Sequence, residues 1–124
     1  RVFFVADDGV LGREAWLTDG TAAGTVLLRD IGRLPQGSLP FGVQAFGLRT
    51  LFTAFEPGGG RELYVTDGTT AGTTRLRDQT PGPAPTFYSP GALWRGAFWS
   101  LAAGGGSLQL VRTDGTPAGT TGVV

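Results

Sequence analysis

Thr66-Asp67-Gly68-Thr69-Thr70-Ala71-Gly72-Thr73 occurs, with small changes, three times in a chain of 124 residues. The earlier copy is Thr18-Asp19-Gly20-Thr21-Ala22-Ala23-Gly24-Thr25, and the later one is Thr113-Asp114-Gly115-Thr116-Pro117-Ala118-Gly119-Thr120. Asp67 follows Asp19 by 48 residues and precedes Asp114 by 47. A period in this range marks a solenoid, a propeller or another array, in which each unit buries its apolar face against the next. The match extends upstream. Gly60-Arg61-Glu62-Leu63-Tyr64-Val65 aligns with Gly12-Arg13-Glu14-Ala15-Trp16-Leu17 and, more loosely, with Ser107-Leu108-Gln109-Leu110-Val111-Arg112. Further upstream, Leu51-Phe52-Thr53-Ala54 aligns with Phe3-Phe4-Val5-Ala6 and with Phe98-Trp99-Ser100-Leu101. The chain reads as one repeat domain, with a first repeat over residues 1–40, a second over 41–87 and a third over 88–124.

The repeated turn has a chemical logic. Asp followed by Gly between two β-rich runs signals a hairpin, because Gly accepts a positive φ without steric cost. The Asp carboxylate can accept backbone N–H groups one to three residues ahead and close an Asx turn. Asp19, Asp67 and Asp114, with Gly20, Gly68 and Gly115, are therefore read as structural turn residues. The second glycine, at 24, 72 and 119, is expected to end the loop with another special dihedral.

Between these turns the chain reads as short strands. Residues 2–6, 13–18 and 25–30 precede a Pro/Gly/Ser loop over 32–40. Residues 41–46, 50–55, 61–66 and 73–78 follow, then a second Pro-rich loop over 81–85. Strands near 89–94, at 97–102, at 108–113 and at 120–124 complete the series. No segment keeps a 3.6-residue apolar period, so no helix is expected. One period thus holds four short strands joined by tight turns, which is the blade of a β-propeller. Adjacent apolar pairs such as Leu51-Phe52 and Leu63-Tyr64 fit strands covered on both faces. The expected fold is all-β and propeller-like, with about three four-stranded blades, the first lacking its innermost strand. Three blades make an incomplete ring, because propellers hold about four to eight. Further chain, a second copy or a partner protein would complete it. Arg112 stands where the second repeat has Val65, which fits either a more polar capping face or drift.

The segment Glu62-Leu63-Tyr64-Val65-Thr66-Asp67-Gly68-Thr69 resembles the bacterial ELWxxDGT repeat family. Glu14-Ala15-Trp16-Leu17-Thr18-Asp19-Gly20-Thr21 keeps the Trp and has Ala for Leu. Gln109-Leu110-Val111-Arg112-Thr113-Asp114-Gly115-Thr116 keeps Leu, with Gln for Glu and Val for Trp. Ala6-Asp7-Asp8-Gly9 and Leu28-Arg29-Asp30-Ile31 also resemble the family's flanks. The resemblance covers nearly the whole chain. It implies a propeller-like fold and an extracytoplasmic setting (periplasmic, cell-surface or secreted), and it implies no defined activity.

Composition narrows the chemistry. Apolar residues make up 40 % and charged residues 16 %, the balance of a globular chain. Ten basic residues, all Arg and scattered, against ten acids argue against nucleic-acid binding. No run approaches about 18 apolar residues, so no transmembrane segment is expected. The absence of His and Cys removes the common zinc sites and the Ser-His-Asp and Cys-His nucleophile systems. No cofactor or metal is expected. Asp7-Asp8-Gly9 resembles part of a calcium loop without its distant Glu. Glu14 and Glu62, in register, are read as strand-edge ion pairs or backbone hydrogen-bond acceptors.

Phe87, Tyr88 and Trp94 are the aromatics least bound to the repeat, and they are the candidate ligand-binding residues. The functional expectation is a non-catalytic structural or protein-interaction module within a larger ring or assembly. The alternatives are a lectin-like carbohydrate-binding module, with a glycan as partner, and a propeller hydrolase using carboxylates alone.

Overall fold

The computed structural model describes residues 1–33 and 35–124. Leu34, inside the loop expected over 32–40, lies outside the described residues. Among the described residues there is no helix. The strands are β1 (Val2–Asp7), β2 (Arg13–Thr18), β3 (Val26–Arg29), β4 (Phe41–Phe46), β5 (Arg49–Glu56) and β6 (Gly60–Thr66). They continue as β7 (Thr74–Arg77), β8 (Phe87–Tyr88), β9 (Ala92–Trp94), β10 (Ala97–Gly104), β11 (Ser107–Thr113) and β12 (Thr121–Gly122). All pairings between these strands are antiparallel.

The strands form three sheets, and the third takes in Phe87, which the sequence reading assigns to the second repeat. The first is β1-β2-β3 and the second is β4-β5-β6-β7. The third runs β12-β11-β10-β8, with β9 also paired to β10. No sheet closes into a barrel. Each is a meander of sequence neighbours, as expected when tight turns follow one another. The strand that lies beside β5 and β10 has no counterpart beside β1 among the described residues.

Two findings in the third sheet depart from the sequence reading. The strand expected near residues 89–94 is divided, because Ser89, Pro90 and Gly91 separate β8 from β9. Pro90 has no N–H to give the ladder, and Gly91 presses so close to β10 that a Cβ on it would lie 2.2 Å from the Trp99 carbonyl oxygen. The second departure is one of register. In β5 and β6 the last ladder pair is Glu56 with Gly60, spanning a three-residue turn. In β10 and β11 it is Gly104 with Ser107, spanning only Gly105 and Gly106, both at positive φ. Losing that residue changes the period from 48 to 47 and puts Ser100, opposite Val111, in the place of Phe52, opposite Tyr64. The alignment of Phe98-Trp99-Ser100-Leu101 with Leu51-Phe52-Thr53-Ala54 is therefore off by one. Trp99 turns to the face opposite the one Phe52 occupies.

The core lies between the sheets. Ala15, Leu17 and Leu28 of the first sheet and Phe52, Ala54 and Tyr64 of the second are buried together, with Ile31 and Phe3. The opposite face of the second sheet supplies Phe46, Leu51, Leu63, Val65 and Leu76 to a second cluster with Phe98 and Tyr88 of the third. Alternation along β5 thus serves two cores: Phe52 and Ala54 face one neighbour and Leu51 faces the other. This is why adjacent positions in the middle repeat are apolar.

Candidate functional site

The three repeated turns are built almost identically. Asp67 Oδ1 accepts the Thr69 N–H at 2.9 Å and the Thr69 hydroxyl at 2.7 Å. Asp19 does the same with Thr21, and Asp114 with Thr116, at 2.9 Å from N–H and within 2.6–2.7 Å from hydroxyl. The hydroxyl bond and the N–H bond hold all three carboxyls below the ordinary carboxylate value. A Thr pair at the base of each loop closes it: Thr18 with Thr25, Thr66 with Thr73, and Thr113 with Thr120, at 2.6–2.7 Å. Gly20, Gly68 and Gly115 have φ of 95°, 93° and 86°, as the Asp-Gly signal requires. Gly24, Gly72 and Gly119 do not adopt positive φ, against the expectation. They are small for a different reason: a Cβ at each would lie 2.0–2.1 Å from the Asp carboxylate of its own loop.

The sheets are also joined by hydrogen bonds that repeat in register. Arg29 at the end of the first sheet donates Nη1 to the Thr73 carbonyl of the second at 2.8 Å. Arg77 donates to the Thr120 carbonyl of the third at 3.4 Å. A second arginine lies over the Asp-Gly turn of the following sheet. Arg49 donates to the Gly115 carbonyl at 3.0 Å and the Asp114 carbonyl at 3.2 Å. Arg1 Nη1 sits 3.5 Å from where a Cβ on Gly68 would be. These arginines read as scattered in the sequence. The signal that reveals them is that Arg1 and Arg49, and Arg29 and Arg77, are each 48 residues apart.

Glu14 and Glu62 are inaccessible to solvent. Both act as backbone acceptors, and neither makes an ion pair among the described residues. Glu14 Oε1 accepts the Gly32 and Ser38 N–H groups at 2.9 Å each, and its Oε2 takes the Ser38 hydroxyl. Glu62 has far less. Its Oε2 accepts the Gln79 N–H at 2.9 Å and its Oε1 has no partner. The position matching Ser38 is Thr86, whose hydroxyl goes to Thr80 Oγ1 at 2.8 Å. Burial therefore pushes Glu62 up to about 7, helped by Asp78 and Glu56 and opposed by the Gln79 N–H and Arg75. Gln79 Oε1 and Tyr88 Oη are also buried without partners, and Gln79 Nε2 donates to Gln109 Oε1 at 2.7 Å. Asp7 and Asp8 cap a turn, accepting the N–H groups of Gly9, Val10 and Leu11 at 2.8–2.9 Å. Among the described residues, no three acidic, His or Cys side chains converge as metal ligands.

The candidate aromatics divide. Phe87 and Tyr88 form β8 against Ala103 and Ala102 of β10. They line a largely apolar groove of about 380 Å³ between the second and third sheets, together with Phe41, Arg61 and Ser100. Phe41 and Phe87 are 72 % and 62 % exposed there. Trp94, in β9, does not line the groove. It packs edge-on to Trp99 at 5.8 Å, and Arg95 lies 4.6 Å from its ring centre.

The outward faces of the terminal sheets are the other notable surfaces. Phe4 and Trp16 are cross-strand partners on the outer face of the first sheet, with ring centres 6.5 Å apart. They match Phe52 and Tyr64, which are 5.6 Å apart and buried against the first sheet. On the outer face of the third sheet, Trp99 and Leu110 match Leu51 and Leu63, beside exposed Leu101 and Leu108. No family model matches the chain, and no curated protein or solved structure matches it.

Proposed function

We propose that the chain is a non-catalytic structural and protein-interaction module, a partial propeller of the ELWxxDGT kind that packs into a larger ring or assembly of an extracytoplasmic protein. The observation that carries this reading is the pair of unmatched outer faces. Phe52 and Tyr64 are 0 % and 5 % exposed between two sheets, whereas their repeat counterparts Phe4 and Trp16 are only partly covered. Apolar faces of this kind on neighbouring strands are the mark of an interface. The measurement that tests the reading is the mass of the native particle by light scattering. A particle heavier than the 12.9 kDa chain, or a stable complex with another chain, is expected. A folded monomer that binds nothing refutes it.

A second reading, binding of a flat ligand such as a glycan ring, is favoured by the groove between the second and third sheets. Exposed Phe41 and Phe87 at its edge are suited to stacking. Glycan-array binding that is lost in Phe87→Ala with folding intact would support it, and no binding across the array would remove it. Trp94 lies apart from the groove and is the control.

A further inference from the structure

Resting on the assembly reading, we infer that the outer face of the first sheet docks a partner β-sheet that presents an arginine from its last strand, and that the third sheet of a second copy does not supply it. The argument is one of matched contacts. At both internal junctions the earlier sheet donates and the later sheet accepts. Arg29 reaches the Thr73 carbonyl and Arg77 the Thr120 carbonyl. Arg49 reaches the Asp-Gly turn of the third sheet, and Arg1 lies over that of the second.

The first sheet carries the accepting half of this junction, and no sheet among the described residues covers it. Its Thr25 carbonyl matches those of Thr73 and Thr120, and no side chain among the described residues reaches it. A Cβ on Gly20 would meet nothing within 4 Å, whereas one on Gly68 would meet Leu17 and Arg1, and one on Gly115 would meet Arg49 and Phe46. Phe4 and Trp16 add the apolar contact that Phe52 and Tyr64 make at the next junction. The docking surface is therefore the same as two surfaces already covered in this molecule, which defines the chemistry of what covers it.

The third sheet carries no donating half. The positions matching Arg29 and Arg77, and Arg1 and Arg49, are Val124 and Ala97. Head-to-tail stacking of identical copies would leave the Thr25 carbonyl and the Asp19-Gly20 turn without their guanidinium donors. Charge-assisted hydrogen bonds are among the stronger contacts such a junction can make.

The test restores the missing donor. Val124 is 82 % exposed, so Val124→Arg leaves the fold undisturbed. Sedimentation velocity over a concentration series should show Val124→Arg self-associating at least about tenfold more tightly than the unaltered chain, the effect of one such bond. Adding Val2→Glu, a change at a 61 % exposed position on the outer face of the first sheet, should reverse it. The inference is overturned if Val124→Arg sediments as the unaltered chain does, or if Val2→Glu leaves its association unchanged. Association of the unaltered chain that Val2→Glu abolishes would also overturn it, while leaving the assembly reading intact. Monomers throughout would count against both.

Discussion

Replacing Glu62 by Gln should make the protein more stable at neutral and alkaline pH. Glu62 is fully buried, with one N–H donor for a carboxylate that can accept several bonds. Burial raises it from 4.5 to about 7. The folded-state value lies above the unfolded one, so folding favours the protonated form. That contribution is complete below about 4.5, declines as pH rises towards 7, and is lost above it. At roughly 1.4 kcal/mol per pH unit the displacement corresponds to about 3 kcal/mol. Local relaxation around a buried charge lowers the observable part to about 2 kcal/mol.

Glutamine keeps an oxygen for the Gln79 N–H and never ionises. Urea unfolding followed by tryptophan fluorescence should therefore give the same midpoint for both proteins at pH 4. At pH 8 the Glu62→Gln midpoint should be higher by about 1.5 M, for an m-value near ~1.3 kcal/mol/M. A parent protein equally stable at pH 4.5 and pH 8, or a variant weaker than the parent at pH 8, would refute the reasoning.

Four further outcomes are expected. Gly72→Ala should lower stability by about 2–4 kcal/mol in a thermal melt, because its methyl group would overlap the Asp67 carboxylate and break the loop's hydrogen bonds; an unchanged melting point would count against the space argument. Asp67 is held below its ordinary 3.8, so its contribution is present above that value and is lost as pH falls through the folded value. Asp67→Asn should accordingly make the loss of stability between pH 4 and pH 2 shallower in an acid titration by circular dichroism. Phe52→Ala should destabilise by about 3–5 kcal/mol, since Phe52 is fully buried against Phe3 and Tyr64. Phe4→Ala, at the matching position on the uncovered face, should cost about half that or less in the same denaturation assay.

Most of the strand pattern was legible because this chain repeats. Asp-Gly turns and Pro/Gly loops punctuate it at fixed distances, and apolar pairs such as Leu51-Phe52 already announce two buried faces. Less local properties escaped. The shorter Gly105-Gly106 turn moves Trp99 to the outside, and a gap that small is invisible when Phe98-Trp99 looks like Leu51-Phe52. The second glycine of each turn suggests a special dihedral, but its small size serves the approach of Asp19 to Gly24, which exists only once the loop has closed. The arginines that join the sheets looked like scattered charge, because a hydrogen bond from Arg29 to Thr73 spans 44 residues. Phe87 and Tyr88 were found as loop-side aromatics. That they share a groove while Trp94 does not depends on Pro90 dividing the strand.

The covering of the second sheet on both faces has a consequence for how the molecule opens. Each sheet pairs only with its own sequence neighbours, and each cluster joins one sheet to the next. Local unfolding then resembles a short one-dimensional chain in which a unit's resistance rises with its number of neighbours. The amides of β5 and β6 should be the last to exchange with deuterium. Those of β1, β3, β11 and β12 should exchange through openings that begin at either end and stop at the middle sheet. Anything that comes to rest on an outer face would slow exchange there first, and so would report its own arrival.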